Sequence, residues 1–238
     1  MAVRRVKHIG IVAVSAPGAA LCYQTICVEG ERLLGERYAH PEVSVHGYPF
    51  SEYMKRIERG DWIGVAELLA SSARKLAAMG ADFVVCPDNT VHIAFDEAVK
   101  RSPIPWLHIA EEVAKEAKRR GFRKLLILGT RFLMESSVYP SKLRLYGIDY
   151  AVPNEREREI VNSIIFSELV YGVVKPESRE KLVEIVKRAA REEGCDAVVL
   201  GCTELPLILS DEVSPIPTLD STRILARAAL RKAVGLED

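Results

Sequence analysis

Two stretches of this chain share one pattern: Gly80-Ala-Asp-Phe-Val-Val-Cys-Pro-Asp-Asn-Thr90 and Gly194-Cys-Asp-Ala-Val-Val-Leu-Gly-Cys-Thr-Glu204. In both, a glycine and an aspartate precede a short apolar run, and a polar segment follows that run. A valine-rich run between turn residues predicts a buried β-strand. Each polar segment is then the loop after the carboxyl end of its strand. The pattern therefore predicts two equivalent strands that each present a polar loop.

A second pair of matching segments follows the first pair in the same order. Ser102-Pro-Ile-Pro-Trp-Leu-His108 and Ser214-Pro-Ile-Pro-Thr-Leu-Asp220 share their serine, both prolines, the isoleucine and the leucine. A single short match is common in α/β proteins. Two matches in the same order indicate that one structural unit occurs twice in the chain.

Apolar runs alternate with amphipathic stretches along the whole chain. The runs that predict strands are Ile9–Val14, Val43–His46, Phe83–Cys86, Leu125–Leu128, Asp149–Val152 and Ala197–Leu200. Between them, Val65–Met79 and Arg179–Glu193 repeat apolar residues every three or four positions, and Ser221–Val234 predicts a last helix. This alternation predicts an α/β fold with mainly parallel sheets.

We expect two pseudo-twofold-related, Rossmann-like subdomains, each a small, mainly parallel sheet flanked by helices. The first comprises residues 1–105 plus 219–238, and the second comprises residues 106–218. Ligands of parallel sheets bind beyond the carboxyl ends of the strands. If those ends face each other, Asp88-Asn89-Thr90 and Cys202-Thr203-Glu204 meet across one cleft, and we expect the active site there. The alternative is an unrelated packing role for the two loops.

Composition excludes several classes of protein. The 238 residues contain 33 Lys+Arg and 33 Asp+Glu, so the formal net charge is zero, and 48% are hydrophobic. A disordered chain lacks this apolar content, and a neutral chain has no general field that attracts nucleic acid or an acidic membrane. No apolar run approaches the ~18 residues that span a bilayer. Five cysteines, an odd number, predict reduced thiols and a cytoplasmic location.

Cys202 is the thiol best placed for chemistry. It follows a predicted buried strand and precedes a candidate helix start, where backbone N–H groups stabilise a thiolate. The alternative is a small buried apolar residue, the common fate of cysteine. Cys22, Cys27 and Cys195 are interpreted as structural, because none has metal-ligand spacing with histidine.

The segments around both loops resemble the signatures of a known family. Val198–Ile208 matches the second active-site signature of the aspartate/glutamate racemase family throughout. The first loop resembles that family's first signature, and Pro87, Asn89, Thr90 and His92 fit it. The resemblance extends over essentially the whole chain and includes Leu128–Arg131.

One position departs from the family pattern. Where the family normally carries its first catalytic cysteine, this chain has Asp88, and Asn89 and Thr90 fix that register without a gap. Cys86 lies two residues earlier and would share a strand face with Asp88. Cys86 is therefore kept as the alternative thiol, and the chain is interpreted as a variant with aspartate in place of cysteine.

The resemblance implies racemisation of an amino acid without a cofactor. Racemases of this family are similar in using two residues on opposite faces of the substrate α-carbon, which here are Cys202 and Asp88. Such groups must exchange protons near neutral pH. The resemblance calls for no metal, pyridoxal phosphate or nucleotide, and it implies a homodimer whose substrate is aspartate, glutamate or a related dicarboxylate.

The resemblance also implies a set of substrate-binding residues. Asn89, Thr90 and Thr203 would hold the substrate carboxylate through amide, hydroxyl and backbone donors. Ser15 and Thr130, which each follow a predicted strand, would lie at the rim of the cleft. Turn or helix-cap roles are the alternative for both residues.

His92 and Glu204 complete the predicted site. His92 lies two residues after Thr90 and is expected near the substrate. Glu204 is expected to orient His92 or a substrate ammonium, although a carboxylate at a helix start has an equally good structural explanation.

The cation for a substrate side-chain carboxylate is not evident from the sequence. Tyr48–Tyr53 is expected to form a substrate-contacting loop, yet it offers Glu52 rather than an arginine. The candidate cations are Lys55, Arg56 and Arg131.

Two alternatives to racemisation remain open. Related enzymes include arylmalonate decarboxylases and maleate isomerases, and a decarboxylase needs only one protonating cysteine. Outside enzymology, the chain could be an amino-acid-binding protein on a racemase scaffold whose chemistry has lapsed. The replaced cysteine supports both alternatives.

Overall fold

The computed structural model describes residues 5–236 of the chain. These residues divide into two compact units. Unit 1 runs to Ile109 and resumes at Thr222, and unit 2 is Ala110–Ser221. Residues 1–4 and 237–238, the two ends of the predicted first subdomain, lie outside the described residues.

The described residues form eight β-strands. They are β1 (Ile9–Ala13), β2 (Val43–Gly47), β3 (Phe83–Val85), β4 (Trp106–Leu107), β5 (Lys124–Gly129), β6 (Asp149–Ala151), β7 (Ala197–Gly201) and β8 (Thr218–Asp220). All six predicted strands are present. Sequence analysis gave no range for β4 and β8, which follow the prolines of the second pair of matching segments.

Ten α-helices accompany the strands in the described residues. They are α1 (Ala16–Leu34), α2 (Phe50–Ile57), α3 (Trp62–Ala78), α4 (Phe95–Lys100), α5 (Ile109–Arg120), α6 (Arg131–Met134), α7 (Val138–Leu145), α8 (Glu155–Ser167), α9 (Pro176–Glu193) and α10 (Ser221–Ala233). The three predicted helices correspond to α3, α9 and α10. Among residues 5–236, no helix combines the length and apolar content that crossing a membrane requires.

Each unit contains one four-stranded sheet in which every pair of neighbours is parallel. The strand order is β2-β1-β3-β4 in unit 1 and β6-β5-β7-β8 in unit 2. The order is the same in both sheets, so the two units repeat one topology. The predicted α/β class with two small parallel sheets flanked by helices is confirmed.

Alternate residues of the unit 1 sheet enter different cores. Ile9 and Ile11 pack with residues of α1 and α10, including Ile26 and Leu225. On the opposite face, Val12 belongs to a core that contains residues of α2 and α3. This alternation follows from the period of two in a β-strand, and it covers the sheet on both faces as parallel sheets require.

The unit 2 sheet is also buried between helices. Leu126 and Leu128 of β5 pack with Val161 of α8 and with Val186 of α9. Their neighbour Ile127 points to the other face and is also buried. Because both faces of each sheet are buried, only the ends of the sheets can present polar side chains.

Candidate active site

In unit 1, two predicted site segments lie at one edge of the sheet. Ser15 follows β1, and Asp88-Asn89-Thr90 follows β3. Because β1 and β3 are neighbouring parallel strands, their carboxyl ends share an edge. The structure therefore brings the two predicted segments of unit 1 to the same end of the sheet.

Asp88 lies two residues before a short 3-10 helix. Its side chain is partly buried, whereas Asn89 is 3% exposed. Thr90 starts a 3-10 helix that runs to Ala94. The backbone N–H of Val91 donates a long hydrogen bond of 3.4 Å to Asp88 Oδ1. This contact holds one carboxylate oxygen toward the helix start.

His92 fixes the backbone of Asp88. Its Nδ1 lies 2.7 Å from the Asp88 carbonyl oxygen, and the backbone N–H of Ile109 donates to Nε2 over 3.3 Å. Because Nε2 accepts, the proton of the neutral ring belongs on Nδ1, which then donates to the carbonyl. Both ring nitrogens of this buried side chain thus bind backbone. The contacts give His92 a positioning role, and its contact with substrate stays a prediction.

Aromatic neighbours hold the His92 ring in this orientation. Phe95 stacks on it with ring centroids 5.2 Å apart, and His108 meets it edge-on at 4.8 Å. Sequence analysis did not identify Phe95, although its spacing of three residues from His92 in a helical segment places it on the same side.

Cys86 is part of the hydrophobic core rather than of the polar loop. Its side chain is 1% exposed and belongs to the same cluster as Val12, Tyr53 and Val65. Burial first, and then the nearby Asp88 charge, hold the pKa of the Cys86 thiol well above its ordinary value. A thiol in this state is a poor nucleophile and a poor base. The structure therefore favours Asp88 over Cys86 as the group that the first loop offers.

In unit 2, the central strands end side by side. Gly129 of β5 pairs with Gly201 of β7, so Thr130 and Cys202 emerge from adjacent positions. A Cβ built on Gly201 would lie 2.6 Å from Leu133 Cδ2 and 2.7 Å from the Leu128 carbonyl oxygen. Glycine is needed there because a side chain would displace α6 or the neighbouring strand.

Ser15 and Thr130 occupy equivalent positions in the two units and cap helices. Ser15 Oγ accepts a hydrogen bond of 3.3 Å from the N–H of Gly18 at the start of α1. Thr130 Oγ1 accepts one of 3.2 Å from the N–H of Leu133 in α6. Both side chains thus have the structural role of an N-cap. Their contact with substrate stays a prediction.

Cys202 is hydrogen-bonded to a carboxylate. Its partly buried Sγ donates to Glu204 Oε2 over 3.0 Å, and Thr203 Oγ1 donates to the same oxygen over 2.6 Å. Sequence analysis identified all three residues but not their contact. Two-residue spacing in a loop has no fixed geometry, so no sequence signal could have revealed it.

Glu204 is a buried carboxylate held by these two donors. It is 7% exposed, and among the described residues no cationic side chain forms an ion pair with it. A buried carboxylate needs hydrogen-bond donors, because burial without partners is costly. One of its donors is the Cys202 thiol. The pair is therefore placed to pass a proton between sulfur and oxygen along an existing hydrogen bond.

The expectation of a substrate-contacting loop over Tyr48–Tyr53 is wrong for the last four of its six residues. Residues from Phe50 onward form α2, which ends at Ile57. Within that helix, Glu52 accepts hydrogen bonds from Lys55 Nζ at 2.8 Å and from Arg56 Nη1 at 3.0 Å. These ion pairs are local to one helix, and they account for the acidic residue in this segment.

The third candidate cation is also ion-paired. Arg131 Nε donates to Glu135 Oε1 over 2.9 Å within the same helical turn. The Glu155 and Glu159 carboxylates lie 4.0 and 3.9 Å from its terminal nitrogens. Lys55, Arg56 and Arg131 thus all have local carboxylate partners in this structure.

The remaining cysteines fit structural roles. Burial raises the pKa of Cys22 to about 12 and that of Cys195 to about 11. Cys27 is partly buried, and burial raises its pKa too. Across residues 5–236, no group of three or more histidine, cysteine, aspartate or glutamate side chains is arranged to hold a metal ion.

The fold and the two loops define a class of protein. It is a duplicated parallel α/β protein with polar loops after its central strands. The sequence profile of the Asp/Glu/Hydantoin racemase family matches residues 30–229. The chain belongs to this family. The broad-specificity amino-acid racemase RacX of Bacillus subtilis is 26% identical over 194 residues, which is 80% of this chain and 81% of that protein.

Solved structures agree with this assignment. An aspartate racemase homologue from Pyrococcus horikoshii is 33% identical, with a TM-score of 0.82, and the match covers 95% of this chain and 99% of that one. The aspartate racemase of Picrophilus torridus is 25% identical, with a TM-score of 0.74, and the match covers 96% and 94% of the two chains. The resemblance found in the sequence is confirmed at the level of the family. The replacement of its first cysteine by Asp88 stays a prediction.

Proposed function

We propose that this protein is an amino-acid racemase that acts without pyridoxal phosphate on acidic amino acids such as aspartate. Cys202 and Asp88 exchange protons with the substrate α-carbon from opposite faces. Membership of the racemase family and the names of its relatives support the reaction class. The observation that carries the mechanism is the 3.0 Å hydrogen bond from Cys202 Sγ to Glu204 Oε2.

Glu204 prepares Cys202 for proton removal. The Cys202 thiol passes its proton along the existing hydrogen bond to Glu204, which leaves a thiolate and a neutral carboxylic acid. The thiolate then takes the α-proton, and the electron pair of the broken C–H bond moves into the substrate carboxylate as an enolate. A thiolate is a suitable base because the pKa of an ordinary cysteine thiol, about 8.5, lies close to neutral pH.

Asp88 completes the reaction on the other face. As a neutral acid it delivers its proton to the planar carbon and gives the opposite enantiomer. In the reverse direction the carboxylate of Asp88 removes the proton and the Cys202 thiol returns one. Because a carboxylate and a thiolate differ in basicity, the two directions have different rates of proton removal.

The substrate carboxylate binds to the polar groups that flank the two acid–base residues. Asn89, Thr90 and Thr203 supply amide, hydroxyl and backbone donors. These donors become more important as negative charge builds up on the carboxylate in the enolate. His92 holds the Asp88 backbone in place through its 2.7 Å contact and so fixes this part of the site.

Proton exchange with solvent tests the proposal directly. Purified protein is incubated in D₂O with a panel of amino acids of each hand, and proton NMR follows the loss of the α-proton signal. We expect aspartate or glutamate to exchange. Cys202→Ala lowers the exchange rate by about 10³-fold for the enantiomer whose α-proton faces Cys202, because a positioned acid–base group contributes on that order.

Cys27→Ala is the matched control, since it removes a partly buried thiol in unit 1 and leaves the loop after β7 intact. If Cys202→Ala exchanges both enantiomers at the wild-type rate, as Cys27→Ala should, Cys202 is not an acid–base residue of the reaction. If no amino acid of the panel exchanges its α-proton, the proposed racemisation is contradicted.

Decarboxylation of a disubstituted malonate is the second candidate function. The observation in its favour is the burial of Cys86 in the core, which leaves Cys202 as the thiol available at a polar loop. A decarboxylase needs one thiol to protonate the carbanion that remains after carbon dioxide leaves. Release of carbon dioxide from an arylmalonate, without α-proton exchange on amino acids, would establish this function instead.

A further inference from the structure

A surface pocket of about 480 Å³ lies in unit 1 between α2, α3 and the end of α4. None of residues 86–92 of the predicted active-site loop lines it, whereas Tyr48 and Arg56, which sequence analysis placed near the substrate, do. Three arginines from three different elements face it: Arg56 of α2, Arg74 of α3, and Arg101 directly after α4. A volume of this size accommodates a small metabolite.

Two of these guanidinium groups are held by one nitrogen each. Arg56 Nη1 donates to the Glu52 carbonyl oxygen at 2.7 Å and to its carboxylate at 3.0 Å. Arg101 Nη1 contacts Glu97 in the same way, at 2.8 and 2.7 Å. Within residues 5–236, the other nitrogens of both groups form no hydrogen bond. Both arginines are therefore anchored and still have donors to offer.

Arg74 differs because its charge is not neutralised. Its one hydrogen bond is a long contact of 3.4 Å from Nη1 to the Arg101 carbonyl oxygen, and among the described residues no carboxylate forms an ion pair with it. An exposed guanidinium without a carboxylate partner is available to pair with a bound anion. Guanidinium groups bind phosphate and carboxylate with pairs of parallel N–H donors.

The α3 helix builds one wall of the pocket from a single face. Gly64, Glu67, Ser71 and Arg74 follow one another at spacings of three and four residues, so they share that face. A Cβ on Gly64 would lie 3.0 Å from Arg56 Cδ and would clash with the carboxylate that caps the helix. Glycine at this position lets Arg56 lie across the first turn of α3.

Neutral hydrogen-bonding groups complete the wall. The Tyr48 hydroxyl lies 2.7 Å from Ser71 Oγ, and Lys75 Nζ lies 4.5 Å from the centre of the Tyr48 ring. The bond from Ser71 and the nearby Lys75 ammonium lower the pKa of Tyr48. The positive groups at this end of the pocket are Lys75 and Arg74.

We infer that this pocket binds a small, multiply charged oxyanion, with Arg74 as its principal contact and Arg56 and Arg101 as flanking donors. Phosphate and carboxylate ligands of this kind both present several negatively charged oxygens close together. Glu67 is exposed on the same wall and carries a negative charge without an ion-pair partner among the described residues. Since it lies two helical turns before Arg74, it repels an anion from that end and restricts binding to the Arg74 end.

Calorimetric titration of the full chain with sodium pyrophosphate and, separately, with citrate tests this site. We expect saturable binding of one anion per chain. Arg74→Gln weakens that binding at least tenfold, and Glu67→Gln strengthens it several-fold because the repelling charge is gone. The stronger of the two probes identifies phosphate or carboxylate as the preferred group. Arg144→Gln is the control, since it removes an exposed arginine of unit 2.

Absence of saturable binding by both probes would overturn the inference. An equal loss in Arg74→Gln and Arg144→Gln would also overturn it, because the attraction would then come from net charge alone. Binding is measured without turnover, and Arg74 has no part in the proposed proton transfer. The result is therefore independent of whether the protein is a racemase.

Discussion

The two repeated segments of this protein use the same residues to build the same scaffold. In unit 1, Asp82 Oδ2 accepts a 2.7 Å hydrogen bond from the N–H of His8, which precedes β1. In unit 2, Asp196 accepts from the N–H groups of Arg123 and Lys124 at the start of β5, at 2.8 and 3.1 Å. Each aspartate therefore ties its own strand to the central strand beside it.

The second pair of repeated segments is equally alike in structure. Val84 and Val198 each donate a 2.9 Å backbone hydrogen bond to a proline carbonyl, that of Pro105 and that of Pro217. The preceding serines close the same turn, with hydroxyl-to-carbonyl distances of 2.7 and 2.6 Å. The repeat therefore preserves the contacts that hold each short edge strand, β4 or β8, to its sheet.

The units differ where the central strands end. Unit 1 continues through a buried cysteine to Asp88, whose carbonyl oxygen a histidine ring contacts. Unit 2 continues through a glycine to Cys202, whose thiol donates to a buried glutamate. The scaffold is thus common to the two copies, and the proposed chemistry lies at the positions where they diverge.

Thiol reactivity gives the largest expected contrast between the copies. At pH 8, iodoacetamide should modify Cys202 roughly 10³-fold faster than Cys86, because Cys86 is in the core and its raised pKa keeps it protonated. Cys22, with a pKa of about 12, should be similarly inert. Mass spectrometry of peptides sampled over time provides a rate for each cysteine.

Urea-unfolded protein is the control, and all five cysteines should react there at similar rates. Modification of Cys86 as fast as Cys202 in the folded protein would mean that both copies present a thiol.

Removal of the acid in unit 1 should have the next largest effect. Asp88→Asn keeps an oxygen that can accept from the Val91 N–H, so the loop is preserved while proton transfer is lost. We expect racemisation to fall about 10²-fold. Chiral chromatography of the product measures the rate. Asp96→Asn, an exposed change in α4, should be neutral, and an active Asp88→Asn would show that the unit 1 loop does not carry the acid.

Neutralising the carboxylate in unit 2 should have a smaller effect. Glu204→Gln keeps the shape of the side chain but cannot take the thiol proton, so we expect kcat to fall about tenfold with little change in KM. The pH–rate profile should change shape, since one titrating group is gone. Glu212→Gln, an exposed change in the same unit, is the control. An unaltered profile in Glu204→Gln would leave Glu204 with a purely structural role.

The scaffold aspartates should have the smallest effects, and these should appear in stability rather than in rate. Asp82→Ala and Asp196→Ala each remove a carboxylate that accepts strand N–H groups, so each should cost about 1–2 kcal/mol. Asp196→Ala should cost more, because it loses two such bonds. Urea denaturation measures both. A cost at one position and none at the other would break the equivalence of the two copies.

Sequence periodicity predicted six of the eight strands and three of the ten helices of the described residues. The valine-rich runs, such as Ala197–Leu200, correspond to strands because buried parallel strands are apolar on both faces. The edge strands β4 and β8 could not be predicted in this way. Their position depends on backbone bonds to Pro105 and Pro217 rather than on apolar residues.

The sequence proposes members of a candidate site, but it does not predict the contacts between them. The repeat identified Asp88 and Cys202 as loop positions that follow equivalent strands. It could not show that Cys202 donates to Glu204 or that His92 holds the Asp88 backbone, because loop geometry has no sequence period. For α2, the four-residue spacing of Glu52 and Arg56, typical of an ion-paired helix, was the informative signal.

Exchange from each enantiomer separately is the most direct test of the central claim, that one scaffold carries two different proton-transfer groups. The α-proton signals of L- and D-aspartate are followed in D₂O with wild type, Cys202→Ala and Asp88→Asn. We predict that the wild type exchanges both enantiomers at different initial rates. Each variant should lose most exchange from one enantiomer, and the two variants should lose opposite ones. Loss from the same enantiomer in both variants, or full exchange in either, would contradict the division of roles between Asp88 and Cys202.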